Sequence, residues 1–188
     1  MSSRALIVLL PLALLVAGCD KGSPPKGQTP AGPVQLGSGA GKLDRAQAGQ
    51  PMPDTPFTAV NGQTLRLADF KGQPVLVNFW ATWCAPCVKE MPSLDRLAAR
   101  EKRLRVVAIN QDTRSRTVDP VPGWWSNAAL KNLQLYREPD MTFGFEFAGG
   151  VLPTTVLYDA RGREVWRVAG DAEWDGPEAA KLIEEAFR

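Results

Sequence analysis

The 188-residue chain is 44% hydrophobic, contains three cysteines and no histidine, and sets 22 Lys and Arg against 20 Asp and Glu for a net charge of +2. That near-balance leaves no electrostatic footprint for nucleic acid, so no nucleic-acid partner is expected, and three Cys without His fall short of the usual four-ligand zinc set. The length suits one globular domain of ordinary core size.

In chain order, Met1-Ser2-Ser3-Arg4 supplies one positive charge and Ala5 to Ala17 an apolar run interrupted only by Pro11. At about 13 residues the run is too short for the ~20 of a spanning helix, and residues 1–18 are predicted to be a signal peptide. The run ends in Leu15-Val16-Ala17-Gly18-Cys19, which resembles a bacterial lipobox, where cleavage before the Cys exposes a lipid-modified N-terminus. Cys19 is then the lipidation site; the alternative, ordinary cleavage, leaves an unpaired exported thiol. Asp20 resembles an inner-membrane retention signal, which implies a protein anchored on the periplasmic face of the bacterial inner membrane. Residues 19–53 are rich in Gly, Pro, Gln and Ser and read as a flexible tether with a reach on the order of 30 Å.

The folded domain is expected over 54–188. Phe57 to Leu67 alternates around Asn61-Gly62, a hairpin signal, with Leu65, Leu67 and Phe70 turned to a core. Val75 to Trp80 is β-branched and aromatic, as a buried strand is. A helix follows from Cys84, with Met91, Leu94, Leu97 and Ala98 at helical spacing and a kink expected at Pro92, which cannot bond back to Val88. Leu104 to Asn110 is a second buried strand, reached by a crossover of the length a parallel pair needs. The basic residues Arg96, Arg100, Lys102, Arg103 and Arg105 read as solvated cations near the helix end, with contact to anionic lipid or an acidic partner as the alternative. Gln111 to Gly123 reads as a loop, Trp124 to Leu133 as helix and Met141 to Phe147 as a short helix. Thr154 to Val168 forms a hairpin, and Gly176-Pro177 opens a closing helix with Ala179, Leu182, Ile183, Ala186 and Phe187 on its apolar face.

The chemistry concentrates in Phe79-Trp80-Ala81-Thr82-Trp83-Cys84-Ala85-Pro86-Cys87, where the apolar strand empties into two thiols. Pro86 suits the first turn of a helix, so Cys84 falls at its N-terminus, where free backbone N–H groups and the dipole favour thiolate. Three helical residues turn about 300°, so Cys87 lies beside Cys84 and the two can close into a disulfide. Two readings compete. A structural disulfide across so short a loop removes little chain entropy, whereas a redox dithiol fits the strand-then-helix setting.

Three separated features now carry a resemblance: Asn78-Phe79-Trp80 leading into the dithiol, Glu90-Met91-Pro92 after it, and Gly150-Val151-Leu152-Pro153-Thr154 far along the chain. From Met52 to Arg188 the sequence resembles thioredoxin-like proteins, most closely the tethered extracytoplasmic thiol-disulfide oxidoreductases of the TlpA, ResA and CcmG types. The resemblance implies an α/β thioredoxin-like fold, a central mixed β-sheet flanked by helices, here with an N-terminal β-hairpin extension. It implies that Pro153 is cis and faces the dithiol, so that neighbouring backbone pairs with a substrate strand; an ordinary trans proline is the alternative. Trp83, Pro86, Leu152 and Pro153 are the substrate-binding candidates, and Cys84, Cys87 and Glu90 the catalytic ones.

Cytoplasmic thioredoxins have a buried Asp where this chain has Asn78. Glu90, one helical turn after Cys87, is the candidate replacement as proton partner, the alternative being a solvated helix carboxylate. The expected reaction is thiol–disulfide exchange without a cofactor or metal, on protein disulfides such as those of apocytochrome c or oxidase copper-site cysteines, with a DsbD- or CcdA-type membrane electron donor. A monomer is expected. The same cysteines also suit an oxidase or isomerase, and a copper-delivering module is a further alternative that lacks His ligands.

Overall fold

Pairing along the chain builds one eight-stranded sheet in this computed structural model, which describes residues 36, 41–113, 118–148 and 150–188. The signal segment, Cys19 and the tether up to residue 35 lie outside the described residues. The strands are β1 (Lys42–Asp44), β2 (Phe57–Ala59), β3 (Thr64–Leu65), β4 (Val75–Trp80), β5 (Arg105–Asn110), β6 (Leu135–Arg137), β7 (Thr154–Tyr158) and β8 (Glu164–Ala169). Their spatial order is β1-β8-β7-β4-β5-β6-β2-β3. β4 runs parallel to β5 and β5 to β6, while β7, β8, β1 and the β2–β3 hairpin are antiparallel to their neighbours, so the sheet is mixed. The helices are α1 (Ala85–Arg100), α2 (Val121–Asn127), α3 (Thr142–Ala148) and α4 (Pro177–Ile183).

Strand alternation divides the core. Leu76, Trp80, Leu157, Trp166 and Val168 face one side of the sheet, with Met91, Leu94 and Leu97 of α1 and Leu182 and Ile183 of α4. Val75, Val77, Phe79, Ile109, Val156 and Tyr158 face the other, with Phe143 of α3 and Phe57 of the hairpin. Every residue of β4 is buried, including the polar Asn78, whose place between Val77 and Phe79 puts it on the α1 side.

The Asn61-Gly62 turn is present, with Gly62 at φ +84°, where a side chain would be strained. Three features differ from the sequence expectations. β1 lies within the stretch read as tether: Leu43 is buried and pairs with Val168, because alternation over three residues is too short a signal to separate from linker. β6 was not expected, since Leu135-Tyr136-Arg137 is equally brief. α2 begins three residues before Trp124 and ends at Asn127, short of Leu133, because Asp119 Oδ1 accepts from the Val121 N–H and Pro122 suits the first turn. Pro92 lies inside α1, which runs on to Arg100.

The basic residues near the end of α1 are held locally. Arg96 pairs with Asp175 at 2.5 Å, Arg103 bridges Glu101 and Glu184 at 2.8 and 2.6 Å, and Lys102 donates to the Ala98 carbonyl at 3.1 Å. They close α1 against the C-terminal segment.

Candidate redox site

The site starts where β4 ends. Cys84 is the N-cap of α1, with extended backbone, and its Sγ accepts from the Cys87 N–H at 3.3 Å. Pro86 occupies the first turn, where its missing N–H leaves no bond unmade. The two sulfurs are joined as a disulfide. Cys84 is 6% exposed and Cys87 fully buried, so an incoming group meets Cys84 first. Trp83 stands beside them 64% exposed, an uncovered apolar surface at the dithiol.

A carboxylate clamps the loop that carries the cysteines. Asp112 accepts from the Thr82 N–H at 2.7 Å, the Thr82 hydroxyl at 2.6 Å and the Asn110 amide at 2.6 Å. Gln111 extends the support, its backbone N–H bonding the Trp80 carbonyl and its side chain reaching Glu138 and Gly144. The loop therefore hangs from the end of β5, and the neighbouring α3 is tied to the same point. Residues 111–113 lie at the start of the stretch Gln111 to Gly123 that the sequence marks as a loop, with no signal for this role.

Pro153 comes to the same end of the sheet. Phe79 pairs with Thr154, so Pro153 lies one residue past the pairing, where β4 delivers the dithiol. The Leu152–Pro153 peptide is cis, as the family resemblance implies. Pro153 is buried, its carbonyl accepts the Gly170 N–H at 2.8 Å, and Leu152 is half-buried against both core layers.

Glu90 lies one turn beyond Cys87 on α1 and is only 3% exposed, which removes the solvated-carboxylate alternative. Lys89 beside it turns to Asp171 at 3.5 Å. Three donors surround the carboxylate: the Asn78 amide at 2.7 Å, the Trp174 indole N–H at 3.0 Å and the Ala172 backbone N–H at 3.0 Å. Burial pushes the Glu90 carboxyl up to about 7, with the three donors opposing burial and the Asp171 charge adding to it. The acid is thus poised to exchange a proton near neutrality. Trp174, fully buried and stacked on Trp166 at 6.3 Å, and Ala172 come from the segment between β8 and α4. Both were missed in the sequence, where that segment is short and aperiodic.

A buried disulfide-forming pair at a helix N-terminus after a central strand, with a cis-proline at the adjoining strand, defines a thioredoxin-fold redox protein. The Redoxin family model matches residues 47–183. The ResA thiol-disulfide oxidoreductase of Bacillus cereus is 31% identical over 140 residues, covering 68% of this chain and 73% of the relative. That of Bacillus anthracis is 32% identical over 130 residues, with the same coverage. An exposed lipoprotein thioredoxin of Streptococcus pneumoniae superposes with a TM-score of 0.60 at 25% identity, over 71% of this chain and 99% of the other. The chain belongs to the Redoxin family, as a thiol-disulfide oxidoreductase of the TlpA/ResA/CcmG type.

Proposed function

We propose that the protein is a tethered periplasmic reductant of protein disulfides. The observation that carries this reading is the pairing of Cys84, the more accessible sulfur at a helix N-terminus, with a buried acid one turn beyond Cys87. Cys84 as thiolate attacks one sulfur of a substrate disulfide, forming a mixed disulfide and expelling the other sulfur as thiolate, which takes a proton. Cys87, giving its proton to ionised Glu90, then attacks Cys84 Sγ; the substrate leaves with both sulfurs reduced and two electrons gained, and the Cys84–Cys87 disulfide remains. Trp83, Pro86, Leu152 and Pro153 form the surface on which the substrate strand lies.

Lipid at Cys19 holds the domain at the periplasmic face of the inner membrane, as a monomer on its tether. A DsbD- or CcdA-type membrane protein re-reduces the pair. Cysteines that must be free to take haem or copper, as in apocytochrome c or oxidase subunits, are the substrate class that the family resemblance supports.

The test is to trap mixed disulfides in cells carrying Cys87→Ser. Exported proteins joined to Cys84 are expected, and the adducts vanish when Cys84 is also replaced. An empty trap in the producing strain would argue against a reductase of proteins.

A further inference from the structure

The two oxygens of Glu90 are not equivalent. Oε2 accepts from the Trp174 indole at 3.0 Å and from the Ala172 amide at 3.0 Å. Both groups are donors only, so a proton on Oε2 would point at N–H groups unable to accept it. Oε1 accepts from Asn78 Nδ2 at 2.7 Å, and the same nitrogen donates to Thr155 Oγ1 at 2.9 Å. Asn78 is completely buried, and its carbonyl Oδ1 has no hydrogen-bond partner among the described residues. A carboxamide can exchange its donor and acceptor ends by turning about its last bond, and a hydroxyl such as that of Thr155 can donate as well as accept.

We propose that Asn78 is a positioning residue that reverses its amide with the protonation of Glu90: it donates to ionised Oε1 and, once Oε1 carries the proton, turns Oδ1 to accept the O–H. The inference rests on the reading of Glu90 as the site's proton partner. The hydrogen-bond count is conserved. Before the turn Nδ2 makes two bonds and Oδ1 none; after it Oδ1 accepts from Glu90 and Thr155 while Nδ2 has none. The unpartnered buried carbonyl is therefore one end of a two-state device. Trp174 and Ala172 fix which oxygen takes part, because they keep Oε2 an acceptor throughout. The position of Glu90's carboxyl near neutrality lets both states be populated. The Asp171 charge acts on it directly, Glu173 of the segment after β8 and Lys89 and Arg96 of α1 line the same hollow, and the thiols of Cys84 and Cys87, titratable only in the reduced protein, begin the same helix.

The test uses the oxidised protein, in which neither thiol titrates, and follows the side-chain amide of Asn78 and the carboxyl carbon of Glu90 by NMR from pH 5 to 9. Both signals are expected to move with one midpoint. In Glu90→Gln the Gln carbonyl keeps the bonds of Oε2 and its NH2 faces Asn78, so the Asn78 amide should stay at the wild-type low-pH position at every pH. A titrating Glu90 with a stationary Asn78 signal, or a Glu90→Gln amide fixed at the wild-type high-pH position, would overturn the switch. A Glu90 carbon that does not move across the range would instead remove the proton-partner reading on which it stands.

Discussion

The Trp174 indole N–H donates to Glu90 Oε2 at 3.0 Å across 84 residues of sequence, joining the segment before the closing helix to the acid behind the dithiol. This bond stabilises the ionised acid. Trp174→Phe keeps most of the stacking on Trp166 but deletes the donor, and loss of a hydrogen bond to a charged group raises an acid's pKa. The Glu90 midpoint should rise by roughly one pH unit, read from its carboxyl carbon. A fall would contradict the assigned direction.

Glu90 also couples stability to pH. Its folded pKa, about 7, lies above the ordinary carboxyl value of 4.5, so the native state binds more protons than the unfolded state between those values. The favourable contribution is full below the unfolded pKa and is lost as pH rises through the folded one. Relative to Glu90→Gln, oxidised wild-type protein should lose roughly 3 kcal/mol of stability between about pH 4.5 and 8. Denaturant melts of both proteins across that range measure it, and parallel pH profiles would refute it.

Asp112 supports the dithiol loop without touching the sulfurs. Asp112→Ala strands the Thr82 N–H, the Thr82 hydroxyl and the Asn110 amide. The expected cost is roughly 3 kcal/mol, seen in denaturant melts, together with slower disulfide reduction. Asp112→Asn, which retains one acceptor oxygen, should fall between the two. Equal stability of all three proteins would remove the clamp.

Legibility in the sequence followed signal length and locality. The strand–dithiol–helix unit was readable because the largely apolar run Val75–Trp80, Cys84, Pro86 and Cys87 fall within thirteen residues and each has a strong local preference. Glu90 was readable as a neighbour of Cys87 through helical spacing, but not its burial, which depends on Trp174 and Ala172 folding over it from far along the chain. Asp112 was illegible for the same reason: its partner Thr82 is 30 residues away, and an Asp in a polar stretch has no periodicity to mark it. The strands β1 and β6 are three residues each and owe their conformation to β8 and β5, against which they pair.

The cysteines divide the reaction by accessibility. Cys84→Ser should lower the reduction rate of a protein disulfide by at least about 10³-fold, since among the described residues the one other cysteine, Cys87, is fully buried. Cys87→Ser should retain the first attack and accumulate mixed disulfide. Mass spectrometry of the adducts checks both, and an adduct borne first on Cys87 in wild-type protein would reverse the roles.

Electron flow out of the dithiol is tested most directly by the reduction potential of the Cys84–Cys87 pair, obtained by equilibrating the domain with thiol–disulfide buffers at pH 7. A reductant requires a value below about −220 mV, towards the ~−270 mV of thioredoxin. A value at or above about −180 mV, in the range of protein disulfide isomerase and DsbA, would contradict it.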